Sequence, residues 1–147
     1  MVEVDLDTLQ TVFDRLEGRV EYSMGAKAPT LDCDTSEIHE LDCSGFVRYI
    51  LAKSTSQGLI TPDGSVGIHA WAAANLQQCP YADVAEGTGL YIAFIAPSGG
   101  VPGHVWLCRQ GSTRECCGSE GVCSRPWDDP ILMNVCACYV LPSYKAE

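Results

Sequence analysis

Residues 41–50 read Leu-Asp-Cys-Ser-Gly-Phe-Val-Arg-Tyr-Ile, and they place a cysteine where an apolar, helix-like run begins. The apolar residues of this run recur at the spacing of a helix face packed on a core: Val47, Ile50 and Leu51. Asp42 and Ser44 are good capping residues for the start of such a helix. A thiol at that position lies near unpaired N–H groups and the positive end of the helix dipole, which both favour the thiolate. Because the thiolate is the nucleophile, Cys43 is the candidate catalytic cysteine.

A cysteine nucleophile needs a base within hydrogen-bond reach, and that base can come from a distant part of the sequence. The chain contains three histidines. His39 lies among charged residues in a predicted loop, and His69 lies in a helix-like, alanine-rich segment. His104 follows a Pro-Gly turn and opens an alternating, β-rich run, where it could line the wall of a cleft. His104 is therefore the candidate base, with His69 as a weaker competitor.

The block Asp-Cys-Ser-Gly-Phe-Val at 42–47, followed by Gly-His-Val at 103–105, resembles the NlpC/P60 cysteine peptidases and amidases. These are compact papain-like enzymes that cut the peptide stems of bacterial cell walls. The resemblance spans roughly residues 20–141, and the segment Glu-Tyr-Ser-Met-Gly at 21–25 is similar to the family's Tyr-x-x-Gly motif upstream of the cysteine. The resemblance implies catalytic roles for Cys43 and His104, and a place for Tyr22 near the nucleophile. It also implies that Asp42 and Ser44, besides capping the helix, help to grip a substrate amine.

The third catalytic position is where this sequence departs from the common family pattern. A cysteine–histidine pair usually has an acceptor that holds the imidazole in the right tautomer, and the resemblance places it on the strand after the histidine strand. The chemistry of residues 113–119 favours Glu115, because a carboxylate accepts an imidazole N–H better than a thiol does. The Cys-Gly-Ser run, however, resembles wall amidases delivered by bacterial type VI secretion, in which a cysteine occupies this position. We therefore rank Cys117 slightly ahead of Glu115.

The order of the predicted elements indicates an α+β fold. We predict an amphipathic helix over residues 7–16, loops over 18–30 and 31–40, the nucleophile helix over 43–53, and a helix capped by Ser65 that ends near 79–80. Strands are expected over 90–96, from His104, over 112–117 and after Pro130. Helices followed by consecutive strands predict helices packed on a central antiparallel sheet, with the nucleophile at a helix N-terminus. The resemblance implies that this arrangement is the papain-like NlpC/P60 fold. With no repeat or linker in the sequence, we expect one catalytic domain over residues 1–147.

Composition excludes several classes of partner. The formal net charge of −10 leaves no basic stripe for nucleic acid and opposes binding to an anionic membrane. No apolar run approaches the ~20 residues that a membrane-spanning helix needs. The acidic N-terminus lacks the basic region of a signal peptide. We therefore expect either a cytoplasmic location or export by a non-Sec route, as for a secretion-system effector or a phage enzyme, and we expect no cofactor.

The cysteine content is high, with nine in 147 residues. An odd number leaves at least one thiol without an intrachain partner, so up to four disulfides are conceivable if Cys43 is that thiol. The alternative is that most of the cysteines are small buried apolar residues. By strand periodicity, Cys136 and Cys138 should face one side of a predicted strand, and Cys108 should share a face with Trp106 and His104.

These patterns favour acyl transfer by a Cys–His hydrolase, and the resemblance implies a peptidoglycan stem peptide as substrate, with the γ-D-glutamyl-diaminopimelate bond as one candidate. One alternative is an amidase of the same fold that acts on a small molecule or a protein conjugate. A delivered toxin would explain the missing signal, and it would be expected to have a dedicated immunity protein. The alternative from another class is a metal-binding module built on Cys116, Cys117, Cys123 and a histidine, but their spacing matches no common zinc pattern.

Overall fold

The computed structural model describes residues 3–145, which form three α-helices, ten short or medium strands and three single turns of 3₁₀-helix. In chain order the helices and strands are β1 (Val4–Asp5), α1 (Leu6–Leu16), β2 (Glu21–Tyr22), β3 (Glu40–Leu41), α2 (Cys43–Ser54), α3 (Ser65–Asn75), β4 (Gln77–Gln78), β5 (Leu90–Ile95), β6 (His104–Arg109), β7 (Ser112–Cys117), β8 (Gly121–Cys123), β9 (Ala137–Leu141) and β10 (Ser143–Tyr144). Six of these strands form one antiparallel sheet in the order β4-β9-β5-β6-β7-β8. The predicted α+β class with a central antiparallel sheet is confirmed.

Helix α2 is buried on almost every side because it lies between α1 and the sheet. Its apolar side chains, among them Phe46, Val47 and Ile50, are fully buried, and Phe13 of α1 meets Phe46 edge to face at 6.3 Å between ring centroids. The amphipathic pattern of α1 is confirmed, because its apolar residues Leu9, Val12, Phe13 and Leu16 face this core. The packing fixes α2, and with it the cysteine at its first position, relative to the sheet.

The sheet is covered on both faces. Alternate residues such as Val105 and Leu107 pack against the helices, while Trp106 and Cys108 face a second, smaller core under the loops. His104 stacks on Trp106 with ring centroids 5.3 Å apart, so the predicted face shared by His104, Trp106 and Cys108 is confirmed. The predicted common face of Cys136 and Cys138 is wrong, because β9 begins only at Ala137. Cys136 is exposed and precedes the strand, whereas Cys138 is buried within it.

Helix α3 differs from its predicted form at both ends. Ser65 is its first residue and not its cap, because Gly64 takes the N-cap position with a φ of 78° and no side chain caps the helix. The helix ends at Asn75, and not near residues 79–80, since the next residues become extended and form β4 against β9. Backbone pairing with the sheet thus replaces the last predicted helical turn.

Two short parallel ladders lie outside the main sheet, and the sequence pattern did not predict either of them. β1 pairs with β10, and β2 pairs with β3 so that Tyr22 lies opposite Leu41. The second ladder brings the Tyr22 segment beside the strand that leads into α2. Within residues 3–145 no helix has the length and apolar character needed to cross a membrane.

Candidate active site

Cys43 is the first residue of α2 and is 9% exposed. Asp42 is the N-cap, and its Oδ1 accepts the backbone N–H of Gly45 at 2.6 Å. The first N–H groups of a helix have no acceptor within it, so the backbone N–H of Cys43 is free to bind a negative charge beside the thiol. The predicted position of the cysteine, at a capped helix start, is confirmed.

The glycine in this motif is required by a close approach between the helix start and a loop. A Cβ at Gly45 would lie 2.7 Å from the carbonyl oxygen of Ala26 and 2.8 Å from Asp42 Oδ1. The Ala26 carbonyl in turn accepts the N–H of Asp42 at 3.0 Å. Gly45 therefore allows the 25–27 loop to pack against the residues that flank Cys43.

His104 opens β6 and lies opposite Ile95 of β5. Its Nε2 lies 2.8 Å from Glu115 Oε1, and Cys43 lies close enough to the ring to raise its pKa. Because Nε2 faces the carboxylate, Nδ1 is the ring nitrogen left for the thiol. Burial disfavours the imidazolium, but the interactions with Cys43 and Glu115 outweigh it and raise the pKa of His104 to about 9. The site thus favours a protonated imidazole beside the sulfur.

Glu115 lies on β7 and its side chain is fully buried. Besides His104, it accepts a bidentate pair from Arg125, with Nε to Oε2 at 2.9 Å and Nη2 to Oε1 at 2.8 Å, and a hydrogen bond from the Thr113 hydroxyl. Burial alone would favour the neutral acid, but these donors lower the pKa of Glu115 to about 2. Glu115 is therefore a carboxylate that orients and charges the His104 ring.

The structure gives the third position to Glu115 and not to Cys117, which we ranked first. The sulfur of Cys117 instead lies 3.4 Å from the sulfur of Cys123 on the neighbouring strand. The physical reason is that a carboxylate can accept from both His104 and Arg125 at once, which a thiol does poorly. The observed contact with His104 favours Glu115, the residue that the chemistry of the side chains had favoured.

The hydroxyl of Tyr22 donates to Met24 Sδ at 3.9 Å, and its phenol interacts electrostatically with Cys43. Burial and the nearby Cys43 and Asp42 raise the pKa of its phenol, which keeps the hydroxyl protonated and able to donate a hydrogen bond. The position follows from the parallel pairing of Tyr22 with Leu41, two residues before Cys43.

Asp42 and Ser44 already have a cationic partner within the chain. Lys27 Nζ lies 2.8 Å from both carboxylate oxygens of Asp42 and 3.0 Å from Ser44 Oγ. Asp42 is 8% exposed and also accepts the N–H of Gly25 at 3.2 Å. An internal ammonium therefore occupies the position in which we expected a substrate amine, and these residues join the 25–27 loop to the start of α2.

The other two histidines lie elsewhere. His69 stacks on Phe94 at 4.5 Å between centroids, and its Nε2 lies 3.0 Å from the hydroxyl of Tyr139. His39 is exposed in the stretch before β3. The contacts of His69 do not involve Cys43, and among the three histidines it is His104 whose pKa is raised by Cys43.

The cysteine cluster proposed as a metal site is split between two sides of β7. Cys116 Sγ lies 3.3 Å from the carbonyl oxygen of Leu41 on the helix side, whereas its neighbour Cys117 approaches Cys123. Among the residues that the structure describes, no group of three or more His, Cys, Asp or Glu side chains could hold a metal ion.

Sequence reasoning missed Arg125, Thr113 and Lys27. Arg125 and Thr113 also pair through the backbone, with the Arg125 N–H 2.9 Å from Thr113 Oγ1 and the Thr113 N–H 2.9 Å from the Arg125 carbonyl. One signal could have suggested Arg125: a single carboxylate on an otherwise buried strand requires a cationic or multiply donating partner. Nothing in the sequence selects Arg125 over the other basic residues.

Comparison with solved structures identifies the fold. The chain is similar to the P60 domain of an antigen from M. avium subspecies paratuberculosis, with a TM-score of 0.63, 23% identity and coverage of 93% of both chains. It is also similar to a lipoprotein-like NLP/P60 family protein from Staphylococcus aureus, with a TM-score of 0.62 and 17% identity over 95% of this chain but 43% of that one. A third similar structure is RipD from Mycobacterium tuberculosis, with a TM-score of 0.58, 18% identity and coverage of 92% and 94%.

The protein therefore has the NlpC/P60 fold, as the motifs implied. No protein-family model matches the sequence, and a search of curated proteins finds no match either. RipD is described as a non-catalytic NlpC/P60 domain protein adapted to peptidoglycan binding, so the fold alone does not establish catalysis. A decision between catalysis and binding has to come from the side chains of the site.

Proposed function

We propose that the protein is a cysteine amidase that hydrolyses amide bonds in peptidoglycan stem peptides. The observation that carries the proposal is that Cys43, at the start of α2, interacts with the ring of His104, whose Nε2 is hydrogen-bonded to the buried carboxylate of Glu115. A nucleophile, a base and a group that orients the base are the three parts that covalent acyl transfer requires.

In the proposed mechanism, Cys43 and His104 form a thiolate–imidazolium pair, and the thiolate attacks the carbonyl carbon of a substrate amide. The Cys43 backbone N–H, free at the start of α2, and the Tyr22 hydroxyl are the candidate donors to the oxyanion. His104 then protonates the leaving amine, which leaves an acyl group on the sulfur. A water molecule, deprotonated by His104, attacks the thioester and releases the carboxylic acid with regeneration of the thiol.

Two features support a peptide substrate. An open groove beside α3 and the end of β5 is lined by Ser65, Val66, His69, Phe94, Ile95, Ala96 and Pro97. One of its lining residues, Ser65, lies beside the residue that precedes His104, because Ser65 Oγ is 3.0 Å from where a Cβ of Gly103 would be. The second feature is the fold, which is shared with RipD, a protein described as adapted to peptidoglycan binding. The γ-D-glutamyl-diaminopimelate bond is the one we propose to be cut.

The pairing of Lys27 with Asp42 and Ser44 bears on how the substrate binds. Because an ammonium of the protein already neutralises this carboxylate, the proposed mechanism does not use Asp42 to capture a free substrate amine. Cleavage should therefore tolerate stems whose amino end is blocked or still linked to the glycan.

Digestion of purified sacculi tests the proposal. The wild-type protein should release soluble stem fragments whose masses identify the bond, and the Cys43→Ala variant should release none while keeping its fold by circular dichroism. Binding of sacculi without release of fragments by the wild type would refute catalysis and indicate a binding role. If the protein hydrolysed small amides or isopeptide-linked protein conjugates but left sacculi intact, it would still be an enzyme. The proposed peptidoglycan substrate would then be refuted. How the protein reaches a cell wall, and whether an immunity protein blocks it, stay predictions.

A further inference from the structure

Two pairs of cysteine sulfurs approach each other outside the catalytic chain. Cys117 Sγ lies 3.4 Å from Cys123 Sγ across the β7–β8 hairpin. Cys79 Sγ lies 3.7 Å from Cys138 Sγ, where the residue after β4 meets β9, and the Cys79 N–H donates to the Cys138 carbonyl at 2.9 Å. Neither pair is bonded in the structure, and the two sulfurs of each pair lie close to van der Waals separation.

The backbone holds each pair in place. In the β7–β8 ladder Cys117 lies opposite Gly121 and Cys123 lies opposite Glu115, so the two sulfurs meet across neighbouring positions of one ladder. On the other side of the sheet, Gln78 lies opposite Tyr139, which sets Cys79 beside Cys138. Cys79 and Cys138 lie directly opposite each other, which is the usual arrangement for a disulfide between strands, whereas Cys117 and Cys123 lie on a diagonal of the ladder, so their bond requires a small backbone shift in the hairpin.

We infer that Cys117–Cys123 and Cys79–Cys138 are two disulfide sites, and that the first is a redox-controlled support for the catalytic carboxylate. Cys123 faces Glu115 across the ladder, and the chain continues from Cys123 directly to Arg125, which binds Glu115. A covalent bond across this hairpin fixes the segment that holds Arg125 against the strand that holds Glu115. The role of the bond in positioning His104 rests on the proposed function, whereas the existence of the two bonds does not.

The oxidant is a low-molecular-weight disulfide such as glutathione disulfide. The thiolate of one cysteine of a pair attacks this disulfide, which forms a mixed disulfide and releases one glutathione thiolate. The thiolate of the second cysteine then attacks the protein sulfur of the mixed disulfide and releases the other. Overall two protein thiols are oxidised to one disulfide and one glutathione disulfide is reduced to two thiols, so protons and electrons balance. Burial raises the pKa of Cys79, of Cys138 and of Cys123, so both bonds should form slowly in neutral solution.

Mass spectrometry of the intact, oxidised protein gives the first test. After equilibration with glutathione disulfide, the wild type should lose four hydrogen atoms and retain five thiols that react with iodoacetamide. Digestion after glutamate and lysine, followed by cleavage at Trp127, separates Cys79, Cys117, Cys123 and Cys138 into different peptides. Linked peptides should join Cys117 to Cys123 and Cys79 to Cys138. Nine reactive thiols, or links to other cysteines, would overturn the inference.

Matched variants assign each bond. Cys123→Ser and Cys138→Ser should each lose two hydrogen atoms on oxidation, and the exposed Cys136→Ser should still lose four. Reduction of the wild type should lower the midpoint of denaturant unfolding, mainly through the Cys79–Cys138 bond, because it joins residues 59 apart in sequence and not six. An unchanged midpoint would refute a stabilising role for that bond.

The positioning role has its own readout. On reduction of the wild type, the pKa of His104, followed by NMR, should move toward the ordinary histidine value. It should not change in Cys123→Ser, which lacks the bond in both states. An identical His104 titration in oxidised and reduced wild type would refute the support of Glu115 while leaving the mapped bonds valid. If the two bonds mapped as expected but the protein hydrolysed no cell wall, the proposed function would be refuted and the disulfide sites would not.

Discussion

Replacement of Glu115 by glutamine tests the physical basis of the site most directly. The side chain is nearly isosteric but neutral, so it can still contact His104 while it no longer stabilises a positive charge. The pKa of His104 stands at about 9 against an ordinary 6.5, which corresponds to ~3 kcal/mol in favour of the imidazolium. This energy is the net of the favourable interactions of His104 with Cys43 and Glu115 and the unfavourable cost of burying the charged ring. We therefore expect the pKa of His104 to fall by more than ~1 unit in Glu115→Gln, and kcat/KM near neutral pH to fall with it.

The same substitution should also destabilise the fold. It leaves the guanidinium of Arg125, whose side chain is 19% exposed, without its bidentate partner, although Asp129 remains 3.7 Å away. Removal of one member of a buried ion pair costs about 3–5 kcal/mol, and the partial exposure of Arg125 lowers our expectation to about 2–3 kcal/mol. Urea unfolding measures this loss. Glu120→Gln is the matched control, since it makes the same chemical change at an exposed position of the β7–β8 turn.

A double variant separates positioning from folding. Glu115→Leu combined with Arg125→Met removes both charges, and it should recover much of the stability that Glu115→Gln loses, because no unpaired ion remains buried. The pKa of His104, followed by NMR through the ring Cε1–H signal, should stay low in the double variant and activity should not return. If Glu115→Gln kept the wild-type His104 titration and full kcat/KM, the carboxylate would not be the orienting group and the proposed mechanism would be refuted.

Three further predictions follow from the same contacts. Cys43→Ser should keep the circular dichroism spectrum and lower kcat on sacculi by more than about 1,000-fold, and near-normal turnover would contradict the nucleophile assignment. Lys27→Met should cost about 1–2 kcal/mol in urea unfolding, because the nearly buried carboxylate of Asp42 loses its cation, and an unchanged midpoint would refute this role. The raised pKa of His104 adds stability that is fully present below pH 6.5 and is lost as pH rises through about 9, so both kcat/KM and the urea midpoint should fall across that interval.

The nucleophile helix and the histidine strand could be predicted because local rules specify them. Asp42 is a strong N-cap, the apolar spacing after it is helical, and the Pro-Gly turn before His104 is followed by strand alternation. The ends of α3 could not be predicted in the same way. Leu76, Gln77 and Gln78 are residue types that favour a helix, and it is pairing with β9, a strand distant in sequence, that makes this segment extended.

The ion network around Glu115 could be predicted only in part. The type of residue favoured Glu115 as the acceptor, but the partner Arg125 enters from beyond the β7–β8 hairpin and is recognisable only after folding. The Lys27 contact has the same origin, because a tertiary approach of the 25–27 loop places the ammonium beside Asp42. Charged residues on loops carry no periodic signal, so their partners depend on three-dimensional packing.

The cost of this network is itself a reason to prefer catalysis over binding alone. Glu115 is fully buried, and a buried ion pair is often no more stable than apolar residues of similar volume. A scaffold that only bound peptidoglycan could hold β6 to β7 with such residues. A hydrolase, however, needs a base that accepts and returns a proton, and that base is held at one orientation and kept charged by a fixed carboxylate. The guanidinium of Arg125 keeps Glu115 ionised, Glu115 keeps His104 protonated, and His104 faces Cys43. Each of these charged groups is stabilised by its neighbour, and the series of interactions leads to the sulfur of Cys43, the proposed nucleophile.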